Sequence, residues 1–230
     1  WAMTRIENTP AFLIHRRMYQ GNSLLLDFFT EHYGRIRLMS RGARSKKTSL
    51  QMFQCLKISY TGKGDLKNLT QWESNDEPRR LMGDDLIIAI YANELLSRLL
   101  PQDDEYKALF DSYWSYIKQI NKQSGPEKEY SLRLFENQLL QELGYGLDFS
   151  EDYEGNPINP SINYEFHEHQ GFFANADGKI FGEILLSIAN ANKNCPSTEQ
   201  LSILKILNRK RLKLLLGEKP LKSRELFFVN

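Results

Sequence analysis

The sequence predicts an α+β protein in two parts, a small β-barrel or sandwich followed by a helical region. The first 75 residues contain about five short apolar runs separated by tight turns, and helical periodicity begins near residue 84. Because no helix-length segment separates the runs, a closed barrel or sandwich is favoured over an α/β sheet. The 230 residues suffice for one large domain or two small ones.

The predicted strands are recognised by alternation of apolar and polar residues and by turn signals. A GNS turn precedes "LLLDFFTEH", and a Tyr-Gly turn precedes "RIRLMS". In the latter, Arg35 and Arg37 alternate with Ile36 and Leu38, so we expect both arginines on one face of the strand. The runs "AFLIHRRMYQ", "MFQCLKISYTG" and "KNLTQWES" complete the predicted set.

The rest of the chain is predicted to be helical, with one interruption. A polar segment around Pro78 marks a plausible boundary. Ser197 and Gln200 have the spacing of a capping box at the start of the last helix. We expect helices at 84–100, 103–121, 130–146 and 197–216, and a two-stranded insertion within 147–182. The predicted domains are therefore a barrel at 1–76, a helical domain at 77–146 and 183–230, and an insertion at 147–182.

Several functional classes receive no support from the sequence. The only cysteines, Cys55 and Cys195, form neither a disulfide framework nor a metal pattern and fit a reducing compartment, so we expect a cytoplasmic protein. Neither a signal peptide nor a membrane span is indicated. No Walker, GxGxxG, GxSxG or HExxH motif is present, and we expect no enzymatic activity. His167 and His169 could begin a metal site, but a solvated strand face is the commoner explanation.

The net charge of +1 hides a strong segregation along the chain. Residues 1–75 carry 12 Lys and Arg against 5 Asp and Glu, and residues 201–230 carry 8 against 2. Residues 76–150 and 151–200 each have a balance of −6. From His32 to Gly64 there are eight bases and no acid. Such asymmetry indicates a polyanion ligand or docking onto a partner.

The candidate binding residues are six bases that fall within 13 positions, on one strand and the loop after it. Solvated faces usually mix charges of both signs, and this segment does not. Because a basic groove can follow a phosphate backbone without reading sequence, we predict contact with nucleic-acid phosphates. The candidates are Arg35, Arg37, Arg41, Arg44, Lys46 and Lys47. An ordinary charged solvent face is the alternative.

Four segments, in order and at comparable spacing, resemble the RecO family of bacterial recombination mediators. "LLLDFFTEHYGRIRLMSRGARSKKTSL" resembles the family's N-terminal signature, and "YANELLSRLL" its first buried helix. "LRLFENQLLQELGYGLDF" resembles the helix that ends in LGY, and "GEKPLKSRELF" resembles the C-terminal KSR-type motif. Many members carry a four-cysteine zinc site after LGY. This chain has no cysteine there, so zinc is not carried over.

The resemblance implies an N-terminal OB-fold followed by a helical domain. It implies a nucleoid-associated protein that binds single- and double-stranded DNA, anneals complementary strands and forms a complex with RecR. It also implies contact with the acidic C-terminal tail of single-stranded DNA-binding protein and help in loading RecA onto coated DNA. An RNA-binding OB-fold protein and a protein-interaction adaptor are the alternatives.

A second basic cluster lies in the last helix. With Arg133, the bases Lys205 and Arg209 could receive the acidic tail, whose hydrophobic end would need an apolar pocket between helices. Alternatively, the cluster balances the acidic middle of the chain. Lys222 and Arg224 match the C-terminal motif, and either a structural or a DNA-contacting role is open for them.

Overall fold

The computed structural model describes residues 2–41, 50–191 and 194–226. The chain divides into two compact units, residues 1–121 with 219–230 (unit 1) and residues 122–218 (unit 2). Over the described ranges, no helix is both long enough and apolar enough to cross a membrane. The predicted domains separate strands from helices, whereas these units are defined by packing. The predicted boundaries therefore stay a prediction.

Unit 1 is built on a closed five-stranded barrel. The strand order is β1-β2-β3-β5-β4, with β4 antiparallel to β1 and β3 parallel to β5. This closed five-stranded arrangement is that of an OB-fold, as predicted. The strands are β1 (Thr4–Met18), β2 (Leu24–Thr30), β3 (Gly34–Ser40), β4 (Leu56–Gly62) and β5 (Lys67–Ser74).

Alternation along the strands fills the barrel. In β3, Ile36 and Leu38 are buried, whereas Arg35 and Arg37, which alternate with them, are partly exposed to different degrees. This confirms the predicted face of each residue. The interior packs residues from all the strands and from the segment before β4, chiefly Leu13, Leu26, Phe28, Ile36, Leu38, Leu50, Ile58 and Tyr60. Burial of such side chains is the main force that closes so small a barrel.

Two helices of unit 1 cover one end of the outer barrel surface. They are α1 (Asp84–Leu99) and α2 (Lys107–Gln119). Phe12 of β1 and Phe29 of β2, which are opposite each other, meet Phe110 and Tyr113 of α2 edge-on or tilted at 4.9–6.3 Å between ring centres. Aromatic pairs favour these geometries, so this cluster holds α2 on the barrel.

Helix α2 begins four residues later than predicted. The acids at 103–105 suggested a first helical turn, but the amide of Asp103 donates to the carbonyl of Arg35 at 3.0 Å. This bond and an isolated bridge between Arg35 and Gln102 hold the segment beside β3, outside the helix. The backbone of Asp104 comes so close to Gly34 that a Cβ there would lie 1.8 Å from its carbonyl oxygen.

The C-terminal segment returns to unit 1. The carboxylate of Glu94 accepts hydrogen bonds from the amides of Lys222 and Ser223 at 2.7 and 2.9 Å, and from the Ser223 hydroxyl at 2.7 Å. It therefore caps the start of α6 (Ser223–Leu226). Arg98 donates to the carbonyls of Lys219 and Pro220. In the KSR motif, Ser223 is thus structural, whereas Lys222 and Arg224 are exposed.

Unit 2 packs three helices with a small sheet. The helices are α3 (Gly125–Glu142), α4 (Gly182–Ala189) and α5 (Thr198–Leu216), and the strands are β6 (Asn163–His167), β7 (Gly171–Ala174) and β8 (Ile180–Phe181). Helix α3 begins before the predicted position because Pro126 occupies its first turn, where proline is tolerated. The insertion has three strands and not two, in the order β7-β6-β8. The predicted capping box of Ser197 and Gln200 is present.

We predict that Gly34→Ala destabilises unit 1 far more than Gly21→Ala does. Both glycines have positive φ, 67° and 61°, so each alanine adds a backbone strain of about 1 kcal/mol. Only at Gly34 does the new Cβ meet backbone, whereas nothing lies within 4 Å at Gly21. We expect a loss in the free energy of unfolding of about 3 kcal/mol or more for Gly34→Ala, measured by urea denaturation. Equal losses would contradict the close approach.

Candidate nucleic-acid interface

The strand register arranges the outer face of β1, β2 and β3 in rows. The row Phe12, Phe29 and Arg35 lies nearest to helix α2. The next row places His15, Asp27 and Arg37 side by side. The row beyond consists of Arg17, Leu25 and Met39. The face therefore passes from an aromatic row under the helices to rows that carry exposed bases.

Arg37 forms a two-pronged ion pair with Asp27 on the neighbouring strand. Its Nε donates to Oδ1 at 2.8 Å and its Nη2 to Oδ2 at 3.3 Å. The Asp27 side chain is only 5% exposed, whereas that of Arg37 is 34% exposed. The hydrogen bond with Asp27 raises the pKa of Arg37. Arg37 is thus held by a buried carboxylate with part of its surface open to solvent.

The side chain of Arg35 is more buried than that of Arg37. Its Nε donates to the carbonyl of Leu100 at 2.8 Å, and its Nη1 lies 3.8 Å from Asp27. Burial lowers the pKa of Arg35, partly offset by the charge of Asp27. Only 12% of the side chain is exposed. Its contacts thus tie β3 to the end of α1, and phosphate contact by Arg35 stays a prediction.

The acid-free segment of the sequence is not free of acids in space. Asp27 lies outside the range from His32 to Gly64, but its strand is paired with β3. It provides one carboxylate for two arginines, so this part of the face keeps an excess of positive charge. The expectation that the segment lacks any counter-charge therefore holds along the chain but not across the sheet.

Other bases extend the face beyond β3. Arg41 follows β3 and is exposed. The other three predicted bases, Arg44, Lys46 and Lys47, lie outside the described residues. Sequence reasoning overlooked Arg16 and Arg17, which are exposed at the end of β1 together with His15. The signal available was the run "HRR" just before the hairpin turn. Arg16 is paired with Leu26 and so lies on the opposite side of the sheet from its neighbours, where it donates to the carbonyl of Leu50. We call His15, Arg17, Arg37 and Arg41 the basic barrel face.

Several aromatic residues of the barrel are buried, and two tyrosines beside β2 are exposed. Phe28, Phe29, Phe53 and Tyr60 are buried in unit 1. Tyr19 and Tyr33 are 38% and 42% exposed, in the turns before and after β2. They could present ring faces to unstacked bases, which is how single strands are held without sequence preference.

The three residues predicted to receive an acidic tail are differently placed in unit 2. Arg133 is buried between α3 and α5, where its Nη1 donates to Glu136 at 2.6 Å. Arg209 is exposed on α5, and Lys205 is half-exposed. The buried ion pair thus separates Arg133 from the two bases on the surface, and the tail contact of all three stays a prediction.

A cavity of about 780 Å³ opens between α3, α4, α5 and the segment after α3. Leu134, Leu147 and Leu204 contribute to its apolar lining, and Asn137 and Arg211 to its polar side. Arg211 donates to the carbonyl of Tyr145 and to the side-chain oxygens of Asn137 and Asn208. Burial lowers its pKa to about 10, which leaves it charged at neutral pH. The cavity therefore combines apolar walls with a buried cation.

Metal ligation finds no support within the ranges described. No group of three or more His, Cys, Asp or Glu is arranged there to hold a metal ion. The imidazole Nε2 of His167 lies 2.7 Å from a carboxylate oxygen of Glu165. Cys55 is buried, and burial raises the pKa of its thiol to about 11, so it stays protonated at neutral pH.

Two family models match this chain in tandem. The N-terminal model of recombination protein O matches residues 3–77, and the C-terminal model of recombination protein O matches residues 80–225. The first match covers the barrel, and the second covers the helices and the small sheet.

Whole proteins named DNA repair protein RecO are similar over nearly the full length. That of Pseudoalteromonas translucida is 39% identical, over 94% of this chain and 95% of the relative. That of Aliivibrio fischeri is 40% identical, over 94% of this chain and 93% of the relative. That of Vibrio vulnificus is 41% identical, over 94% of this chain and 90% of the relative. With both models and these identities, the chain belongs to the RecO family of DNA repair and recombination proteins.

Proposed function

We propose that this protein binds single- and double-stranded DNA through the basic barrel face and the segment that follows β3, and that it acts by binding and not by catalysis. The observation that carries this proposal is the set of exposed bases on adjoining strands of an OB-fold. Membership of a DNA repair family supports the choice of DNA over other polyanions. The β2–β3 face is also where OB-folds bind oligonucleotides.

Annealing of complementary strands follows from the same surface. Two DNA strands repel each other through their phosphates, and cations held on a rigid sheet lower that repulsion. Contacts with phosphates carry no sequence information, so such a surface accepts any pair of strands. Asp27 keeps Arg37 in one orientation, which reduces the side-chain entropy lost when a phosphate binds.

The partners proposed for this activity are those of the family. We propose that the protein acts with RecR to load RecA onto DNA coated by single-stranded DNA-binding protein, and that it recognises the acidic C-terminal tail of that coat protein. The cavity in unit 2 supports the last step, because apolar walls suit a hydrophobic tail end. Lys205 and Arg209 on α5 would attract the acidic residues before that end.

The salt dependence of DNA binding tests the phosphate contacts. If about six phosphates are engaged, the logarithm of the affinity for an oligothymidine should fall against the logarithm of salt concentration with a slope of roughly −4. Fluorescence anisotropy between 50 and 200 mM NaCl measures this slope. An affinity nearly independent of salt would count against phosphate binding. Preference for an RNA oligonucleotide in the same assay would favour an RNA-binding protein.

Arg17→Ala and Arg37→Ala should both weaken DNA binding but differ in stability. Each removes one cation, so we expect roughly a fivefold loss of affinity and slower annealing of complementary oligonucleotides. Arg37→Ala also leaves Asp27 buried with a weaker partner, which lowers the free energy of unfolding by about 1–3 kcal/mol. Arg17 is exposed, and its loss should leave stability unchanged.

Arg5→Ala is the matched control for this pair of variants. Arg5 lies near the other end of β1 and pairs with Glu7. We expect DNA affinity and stability to stay at the wild-type level. A loss of affinity as large as that of Arg17→Ala would mean that charge anywhere on the barrel suffices, and the basic barrel face would not be the binding surface.

Leu134→Glu should disrupt tail recognition. Leu134 lines the cavity and is 42% exposed, so a carboxylate there would repel an acidic peptide and occupy its apolar site. We expect at least about a tenfold loss of affinity for a peptide with the tail sequence, measured by anisotropy. Ile206→Glu is the control, since Ile206 is 50% exposed on α5 but does not line the cavity. Equal losses in both variants would exclude the cavity as the tail site.

A further inference from the structure

The small sheet of unit 2 has one face that the function above does not use. Tyr164 and Phe172 point inward and are buried against the helices, whereas Glu165 and Phe173 are paired across β6 and β7 on the opposite face. His167 shares that outer face, since it is two residues from Glu165. The sheet therefore has a packed side and a solvent side.

Aromatic rings cover much of the solvent side. Tyr153 stacks on Phe173 with ring centres 3.7 Å apart and planes 17° apart, and His167 lies 4.4 Å from the same ring. The amide of Tyr153 donates to the carbonyl of Phe172 at 2.9 Å, which fixes the loop over β7. Tyr153 is 48% exposed and Phe181 39%. An exposed aromatic cluster of this kind is typical of interaction surfaces.

The sequence that forms this face is acidic. Residues 134–178 contain nine Asp and Glu and not one Lys or Arg. Two of these acids lie beside the rings: the Tyr153 hydroxyl donates to Glu154 at 2.7 Å, and Glu165 lies beside His167. Of the flanking bases, Arg133 is buried in its ion pair, whereas Lys179, just before β8, is exposed. The two acids beside the rings outnumber this one base. We call Tyr153, Glu154, Glu165, His167 and Phe173 the acidic aromatic face.

A DNA strand would be repelled here, and a cationic surface would be attracted. Guanidinium groups suit the face best, because they stack on aromatic rings and pair with carboxylates at the same time. The chain itself carries such a surface on its barrel, where Arg17 and Arg37 lie in neighbouring rows without an exposed acid, and Arg41 follows the end of β3.

We propose that the acidic aromatic face docks the basic barrel face of a second copy of this chain. The two surfaces are complementary in charge, and each copy carries one of each. The contact is therefore head-to-tail, so it can extend from copy to copy. Since DNA needs the same arginines, DNA and the second copy compete, and binding of DNA releases the association.

The association should be weak and sensitive to salt. Its charges are exposed, and exposed ion pairs are largely screened at 0.3 M salt. We expect the full chain to show a mass that rises with concentration at 25 mM NaCl, on the order of 10 µM and above, and monomers at 300 mM. Sedimentation velocity measures both. A monomer at 25 mM NaCl up to about 100 µM would overturn the proposal.

Charge reversal and complementation identify the surfaces. The variant Glu154→Lys/Glu165→Lys and the variant Arg17→Glu/Arg41→Glu should each stay monomeric at 25 mM NaCl. Mixed together, each presents a face that is complementary to the other, so the mixture should associate. The control Glu218→Gln/Glu225→Gln removes two exposed acids elsewhere and should behave as wild type. Association of either reversed variant alone, or none in the mixture, would overturn the assignment.

Competition by DNA rests on the proposed function and is measured separately. One equivalent of an oligothymidine should return the wild type to monomers at 25 mM NaCl. If the oligonucleotide does not bind the barrel at all, the proposed DNA-binding function fails while the association between copies stands. If it binds and the copies stay associated, the shared use of the arginines is wrong and the docking proposal falls.

Discussion

The buried carboxylate of Asp27 is the constraint on which the barrel surface depends. An ionised group with so little exposure requires cations close by, because desolvation without a partner is costly. Arg37 meets this need directly, and Arg35 does so at 3.8 Å while also reaching the carbonyl of Leu100. Asp27 therefore orients a surface base and lies beside the arginine that attaches the end of α1 to the barrel.

The fold was predictable because its signals are local. Alternation of Arg35 and Arg37 with Ile36 and Leu38 identifies β3, and Ser197 with Gln200 identifies the start of α5, since both patterns depend on neighbouring residues. The start of α2 and the burial of Arg133 depend on contacts with residues 68 and 75 positions away in the chain, at Arg35 and Asn208. No local pattern contains that information, so the helix start was misplaced and the burial of Arg133 was not foreseen, although its ion pair with Glu136 is a local i,i+3 contact.

The candidate site was only partly predictable for the same reason. Charge along the chain pointed to β3, but exposure depends on what the neighbouring strand supplies. Arg35 is covered where it binds the carbonyl of Leu100, whereas Arg37 stays partly exposed on Asp27. Arg17 becomes part of the face because β1 lies on the other side of β2. Charge segregation in space is limited to two surfaces: exposed bases lie together on β1 and β3, and residues 134–178 of unit 2 hold nine acids and no Lys or Arg.

Unit 2 is an insertion within unit 1, because hydrogen bonds between Glu94 and Ser223 bind the C-terminal segment to unit 1. The chain leaves unit 1 after α2 and comes back at residue 219, so residues 122–218 form one long loop closed by hydrogen bonds at Glu94 and Arg98. The entropy needed to close a loop grows only slowly with its length, so a few bonds suffice. Removing residues from the C-terminus would therefore first destabilise unit 1, although that unit contains the N-terminal barrel.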